Sequence, residues 1–408
     1  MRRGLLSVLV ILCVASTGRA DPLRLSAQDV VARALANNLD LRASRKDVSV
    51  AQASLERSLP WLPSNPAFTA GAQHATGFAP NYSFSLSQEF EIAGQRGARV
   101  DAARKEVEKA NWDVKTAEQN LAANARTAFL RALVNIERVT AARQSVDAST
   151  ALLRDLERRT TTPDTQRIGL NQARIQALRD TRAVAWAEHT RDTTLGALRS
   201  LLGLPADQEI VLIGAPRSEV RPLPSDAELT ARALERRSDL IALRQAVEHA
   251  NLHLSLTRRE GIPNVTLSGT FGRFESDNFA GGDITVPIPV FQRRAPEMHE
   301  ALAEYERSNL QVQTLERDAA KEVREARQAC VLTGDDLSAY QRQILPLSEE
   351  NLAIERRLFE RGTADTADVV GQQADLLTAR LGYLDALEAY NTALIELERV
   401  SGGNLEAE

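Results

Sequence analysis

The sequence predicts a mainly α-helical chain with a small membrane-embedded β part, in which one unit, helix-strand-strand-long helix-helix, is written twice. Three observations carry this reading. The 408-residue chain resembles itself at a shift of 199, where "ARALANNLDLRASR" (32–45) lies over "ARALERRSDLIALR" (231–244) with eight of fourteen positions identical. Seams of small residues at steps of three and four run on for tens of residues, as in packed helical rods. Four short stretches alternate apolar and polar residues instead, the period of a strand with one greasy face.

The self-similarity extends past that window. Pro63 and Pro66 meet Pro263, the strand of Phe84 meets that of Ile284, "GQRGARVDAA" meets "QRRAPEMHEA", and "NQARIQALR" (171–179) falls near "QQADLLTAR" (372–380). So long a period means two copies of one structural unit, not a solenoid.

In chain order, residues 1–20 read as a cleaved secretory signal peptide: Arg2 and Arg3, an apolar core from Leu5 to Val14, then Gly18-Arg19-Ala20. The core is about ten residues long against the roughly 20 that a bilayer demands, and no later stretch comes closer, so no transmembrane helix is expected. Cys13 lies inside the leader behind Leu12, not a small residue, so lipidation is not expected. The first repeat covers 21–205, with helices at about 26–59, 96–158 and 167–202 and hairpin strands within 67–92 (67–74 and 81–92). An equatorial linker spans 206–225. The second repeat covers 226–401, with helices at about 226–259, 294–360 and 367–400 and hairpin strands within 264–291 (264–274 and 282–291); a tail, 402–408, closes the chain.

The long helix rests on the seam Val107, Ala110, Val114, Ala117, Leu121, Ala125, Ala128, Ala132, Ile136 and Val139. Sixty residues at 1.5 Å each make a rod of about 90 Å, which must lie against other rods. The two shorter helices of a unit together match its length, as if stacked end to end beside it. Turns at the far end are "TTTPDT" (160–165) and "RGTADTAD" (361–368), rich in helix breakers and caps.

The strands explain the rest. Tyr82, Phe84 and Leu86 alternate with serines, Val265, Leu267 and Phe271 with Thr266, Ser268 and Thr270, and Ile284, Val286, Ile288 and Val290 share a face opposite Thr285, Pro287 and Pro289. This is the pattern of a transmembrane β-barrel wall. Four strands cannot close a barrel, and open edges are not tolerated in lipid. Two chains would give eight strands with a filled interior; three would give twelve with room for a pore.

The order of these features resembles the TolC-like outer-membrane efflux proteins. The residues that carry the likeness are "SLSQEFEIAGQRGARVDAA" after the first hairpin, "DITVPIPVFQRR" after the second, "LLGLP" (201–205), and "RRLFERGTADTADVVGQQADLLTARLGYLDALEAY" near the end. The run Glu91-x-x-Gly94-x-Arg96 looks most like the CzcC-like branch, which accompanies heavy-metal resistance pumps. The resemblance implies a homotrimer with a twelve-stranded barrel in the outer membrane of a Gram-negative cell and a long α-helical coiled-coil barrel in the periplasm. It implies two partners, a periplasmic adaptor (membrane fusion protein) and an inner-membrane pump of the resistance-nodulation-division (RND) type, with divalent heavy-metal cations as cargo. It places Asp368 at a tunnel-mouth gate, where a second acidic position falls on Gly371, with Asp365 and Asp375 as further contributors. Asp368 also reads as a first-turn acid of the helix 367–400. Gly362 and Thr363 at the tip stand as an adaptor contact, or simply as a helix-ending glycine and its neighbour.

Composition narrows the function classes. The net charge of −5 becomes −8 once Arg2, Arg3 and Arg19 leave with the leader, 47 bases against 55 acids, and no basic stripe exists for nucleic acid. Hydrophobic residues at 43% with only 4% aromatics are the usage of long packed helices. Cys330, the one cysteine left after processing, reads as a buried structural thiol in "REARQACVL". His249 and His253 are four apart on a helix, a spacing that binds metal, but with no third ligand in sequence reach they read as a solvated face. No phosphate loop, nucleophile elbow or paired-acid motif occurs, so no catalytic, cofactor or metal site is expected and the chain is not read as an enzyme. The alternatives are a duct for drugs or type I protein secretion and, in another class, a soluble periplasmic coiled-coil adaptor.

Overall fold

The computed structural model describes residues 22–403 apart from 75, 77–79, 160–163, 276 and 291–293. The expected leader 1–20, most of the turn 160–165, part of the "QRR" run and the tail beyond Gly403 lie outside the described residues. The first repeat holds β1 (Leu23–Leu25), α1 (Ala27–Asn37), α2 (Leu39–Ser58), β2 (Ala67–Gln73), β3 (Asn81–Phe90), α3 (Gln95–Arg159) and α4 (Asp164–Leu201). After β4 (Ile210–Leu212) come α5 (Asp226–Arg236), α6 (Ser238–Glu260), β5 (Val265–Phe274), β6 (Asp277–Thr285), α7 (Ala295–Ala339), a π turn (Tyr340–Ile344), α8 (Leu345–Glu360) and α9 (Thr366–Val400).

The first helix of each repeat is broken where one rod was expected. Asn38 is extended (ψ 128°), ends α1, and caps α2 by accepting from the Leu41 N–H at 2.9 Å. The matching break falls at Arg237 (ψ 120°), whose buried guanidinium donates to Glu322 at 2.6 Å and Asp239 at 2.7 Å. Burial opposes its charge, but these carboxylates more than offset that and raise its pKa. Ser26 and Ser225 open α1 and α5 with matching capping boxes, closed by Asp29 and Glu228.

The expected rod 294–360 carries a π turn instead of running uniformly α-helical. The Leu345 N–H reaches back five residues to the Tyr340 carbonyl, and Pro346, which has no N–H to give Arg342, follows at once. In α9 opposite, a Cβ on Gly382 would come within 2.4 Å of the Tyr340 hydroxyl, so the glycine makes room for that ring.

With 65 residues, α3 is about 98 Å long. The shorter helices lie beside it in succession: Arg45 of α2 pairs with Glu118, α1 buries Val30 and Ala34 near Ala125 and Phe129, and α4 follows with Thr194 at Asn135 and Arg174 at Glu157. Of the expected seam, Ala125, Ala132 and Val139 are fully buried and the rest partly so. Leu130 and Val134, off that seam, are buried against Leu384, Leu387 and Tyr390 of α9, because α3 is packed on more than one side.

The linker 206–225 is more ordered than a bare connection. Its β4 pairs in parallel with β1, a two-stranded sheet that was not foreseen, and Arg217 exchanges backbone hydrogen bonds with Asn391 at 3.0 and 2.8 Å.

The four remaining strands form one antiparallel sheet in the order β2-β3-β5-β6, with β2 and β6 as open edges. The register sets Phe68 opposite Leu86, Phe84 opposite Phe271 and Leu267 opposite Ile284, so one face is apolar and exposed. The expected strand 282–291 is corrected: β6 runs Asp277–Thr285, and Val286, Ile288 and Val290 follow it outside the ladder. Pro287 and Pro289 have no N–H to donate, so pairing cannot continue past Thr285. No helix among the described residues is long and apolar enough to cross a membrane.

Candidate functional site

The second face of the sheet is mainly polar, with Phe274 and Phe279 at its hairpin end. Ser83, Ser85, Ser87 and Glu89 of β3 share it with Thr266, Ser268 and Thr270 of β5 and with Asp277, Asp283 and Thr285 of β6. Among the described residues its charged side chains are Glu89, Asp277 and Asp283, all acidic, whereas Arg273 sits on the apolar face beside Tyr82. Gly272 lies under the Phe279 ring and the Tyr82 carbonyl, with no room for a Cβ.

Where the sheet meets the helices, the run Glu91-x-x-Gly94-x-Arg96 builds a collar. Glu91 takes a bidentate pair from Arg99 at 2.7 and 3.1 Å. Gly94 has a positive φ of 72° and offers its carbonyl to Arg259 at 3.0 Å. The Arg96 guanidinium donates to the Leu59 and Pro60 carbonyls at 2.7–3.1 Å and so closes the C-terminal end of α2. The sequence reading passed over Gln95, which is 1% exposed and is the hub. It accepts from the Ala93 N–H at 2.8 Å and donates to the Ile262 carbonyl and Asn264, which in turn donates to Glu89 at 2.8 Å. A glutamine inside "GQRG", next to a strand end, was the available clue. Asn264 carried none, since its partner lies 169 residues away in the chain.

The tip holds the other expected residues. Gly362 has a φ of 75° and its N–H bonds the Phe359 carbonyl, while Thr363 bonds the Leu358 carbonyl through both its N–H and its hydroxyl. Both are exposed and end α8 in the αL manner. Asp365 precedes α9, and its N–H donates to the Asp368 carboxylate at 3.3 Å, so Asp368 is a first-turn cap as one reading had it. Asp368 and Asp375 are exposed and two turns apart on one face, with Gly371 exposed between them. Gly169 of α4 packs so closely on Thr366 that an added Cβ would meet its hydroxyl at 2.9 Å.

Cys330 is 1% exposed, and burial followed by the nearby Glu398 pushes its thiol up to about 12. His249 and His253 are stacked with ring centroids 6.3 Å apart. No group of three or more His, Cys, Asp or Glu among the described residues is placed to enclose a metal ion.

An open four-stranded sheet, mainly greasy on one face and mainly polar on the other, on a bundle whose longest rod is about 98 Å, has the form of one stave of a membrane duct. A family model described as outer membrane efflux protein matches residues 30–204 and again 229–403, and the chain belongs to that family. It is 22% identical over 389 residues to the cobalt-zinc-cadmium resistance protein CzcC of Cupriavidus metallidurans, covering 94% of this chain and 91% of that one. It is 26% identical to the nickel-cobalt-cadmium resistance protein NccC of Alcaligenes xylosoxydans xylosoxydans over 60% of this chain and 57% of the relative. Its fold matches the crystal structure of CusC, described for transmembrane channel formation, with a TM-score of 0.79 at 20% identity over 93% of this chain and 92% of that one. The chain is an outer-membrane efflux channel.

Proposed function

We propose that this channel is the passive outer-membrane duct of a tripartite system that expels divalent heavy-metal cations. One observation carries the cation assignment: the polar face of the sheet bears acids and no base among its described residues. Three copies of that face would line a twelve-stranded barrel with negative charge, which favours cations and resists anions. The relatives named for cobalt, zinc, cadmium and nickel resistance support the same cargo.

In this reading residues 1–20 are removed on export, the mature protein is not lipidated, and three chains close the barrel. The periplasmic adaptor meets the tip at Gly362 and Thr363 and links the duct to an RND pump. The duct does no chemistry of its own and is not an enzyme; the pump supplies the driving force. Asp368, with Asp365 and Asp375, forms acidic rings at the periplasmic mouth.

Two measurements test this. A deletion strain is expected to lose tolerance to zinc, cobalt or cadmium and to keep tolerance to organic drugs; the reverse pattern refutes the cargo. In a planar bilayer, Asp368→Ala is expected to change current and lower cation preference, and an unchanged channel removes Asp368 from the gate.

A further inference from the structure

We propose that His249 and His253 form a two-imidazole docking point for one divalent transition-metal cation on the inner wall of this duct. The pair lies in a groove of about 740 Å³ lined by α2, α3, α6 and α7. Those four helices contact one another in that order, α2 with α3, α3 with α6, α6 with α7. A groove reached by all four lies on the concave side of the row.

The helix stripes connect this concave side to the polar face of the sheet. Glu89, on that face, lines the collar groove together with Arg99 and Glu260. Arg99, Glu106 and Asp113 then follow at seven-residue steps along α3, and Glu260 and His253 are seven apart on α6. Seven residues are two turns and return almost to the same face. The wall that starts at Glu89 therefore continues past the histidines.

The local chemistry suits a cation. Asp47, Glu106, Asp113 and Glu304 line the groove against two bases, Lys109 and Arg307. Residues four apart on a helix have Cβ atoms about 5–6 Å apart. A shared zinc ion would take one nitrogen of each ring at about 2.0–2.1 Å, and the two ring centroids stand 6.3 Å apart. His249 is half-buried in the groove, which it shares with Glu106 and Glu304. Two imidazoles completed by water hold an ion less firmly than a closed four-ligand site. A conduit wall needs that weakness, because a tightly held ion does not leave.

The biological role rests on the metal-efflux reading, but the site is testable without it. The detergent-solubilised protein is dialysed against Zn²⁺ at neutral pH, beside His249→Ala, His253→Ala, the double variant and Glu106→Gln, with far-ultraviolet circular dichroism and oligomeric size as folding controls. Saturable binding of one Zn²⁺ per chain is expected, abolished in the double variant and in each single variant, and weakened about tenfold in Glu106→Gln, the size of a supporting-residue effect. Zn²⁺ binding that survives in a folded double variant, or no saturable binding by the parent protein, overturns the site. Binding that follows the expected pattern in a protein whose deletion spares metal tolerance supports the site and sinks the efflux reading instead.

Discussion

Neutralising Glu89 by Glu89→Gln isolates the charge of the polar wall from its structure. Asn264 donates to Glu89 Oε1 at 2.8 Å and Ser64 bonds Oε2 at 3.4 Å; a glutamine keeps an oxygen for Asn264 and an amide that Ser64 can accept from, so the collar survives. Twelve strands spaced about 4.8 Å apart and tilted about 40° close at a radius of about 12 Å. A carboxylate reaching inward then sits about 8 Å from the axis, where it attracts a divalent ion by about 1 kcal/mol in water. A ring of three, screened over a Debye length of about 8 Å, is worth about 1.1 kcal/mol, or about sevenfold in ion occupancy. At about 0.01 M salt the screening nearly vanishes and the ratio rises to about fiftyfold. The assay is the reversal potential of Zn²⁺ against chloride in a planar bilayer at both salt concentrations. The preference of Glu89→Gln should fall, and fall further at low salt. A reversal potential that matches the parent at low salt refutes an acidic lumen at this ring.

Further expectations concern stability. Gly382→Ala drives a methyl against Tyr340 and should cost about 1–3 kcal/mol in denaturant unfolding, whereas Gly371→Ala, with open space at its Cβ, should gain up to about 1 kcal/mol from helix propensity. Equal midpoints for the two would refute the packing role of Gly382. Burial opposes the charge on Asp239, but Arg237 holds its pKa below the ordinary value, so the pair stabilises the fold above the unfolded carboxylate pKa and is lost as pH falls through the lower folded one. Stability should therefore drop between about pH 4 and the folded value, and less so in Arg237→Met; parallel pH profiles for the two proteins would refute it.

Most of the architecture was legible because it repeats. Periodicity found the long rods, the internal copy located the second hairpin from the first, and the alternation of Tyr82, Phe84 and Leu86 gave the faces of β3 correctly. The breaks at Asn38 and Arg237 were missed because each keeps the helical period on both sides and bends only its own ψ. β6 was placed too late because Ile284, Val286, Ile288 and Val290 continue the apolar alternation past the point where proline removes the donors. At the collar, Glu91, Gly94 and Arg96 were visible as a motif, but the partners of Arg96 and Gly94, Leu59 and Arg259, and of the neighbouring Gln95, Asn264, lie far off in the chain and leave no local pattern.

The same separation bears on Asp368. As a first-turn acid it needs only Asp365 and the positive end of α9, both present in one chain. As a gate it needs its copies around an axis, a relation that no single chain contains. The two roles are compatible because the cap holds one carboxylate in place while leaving the residue exposed. Fixing it at a helix start also spares a mouth ring the entropy of ordering a free side chain. In the gate proposed above, Gly371 contributes no carboxylate one turn on, so its acids would come from Asp365, Asp368 and, two turns along the same face, Asp375.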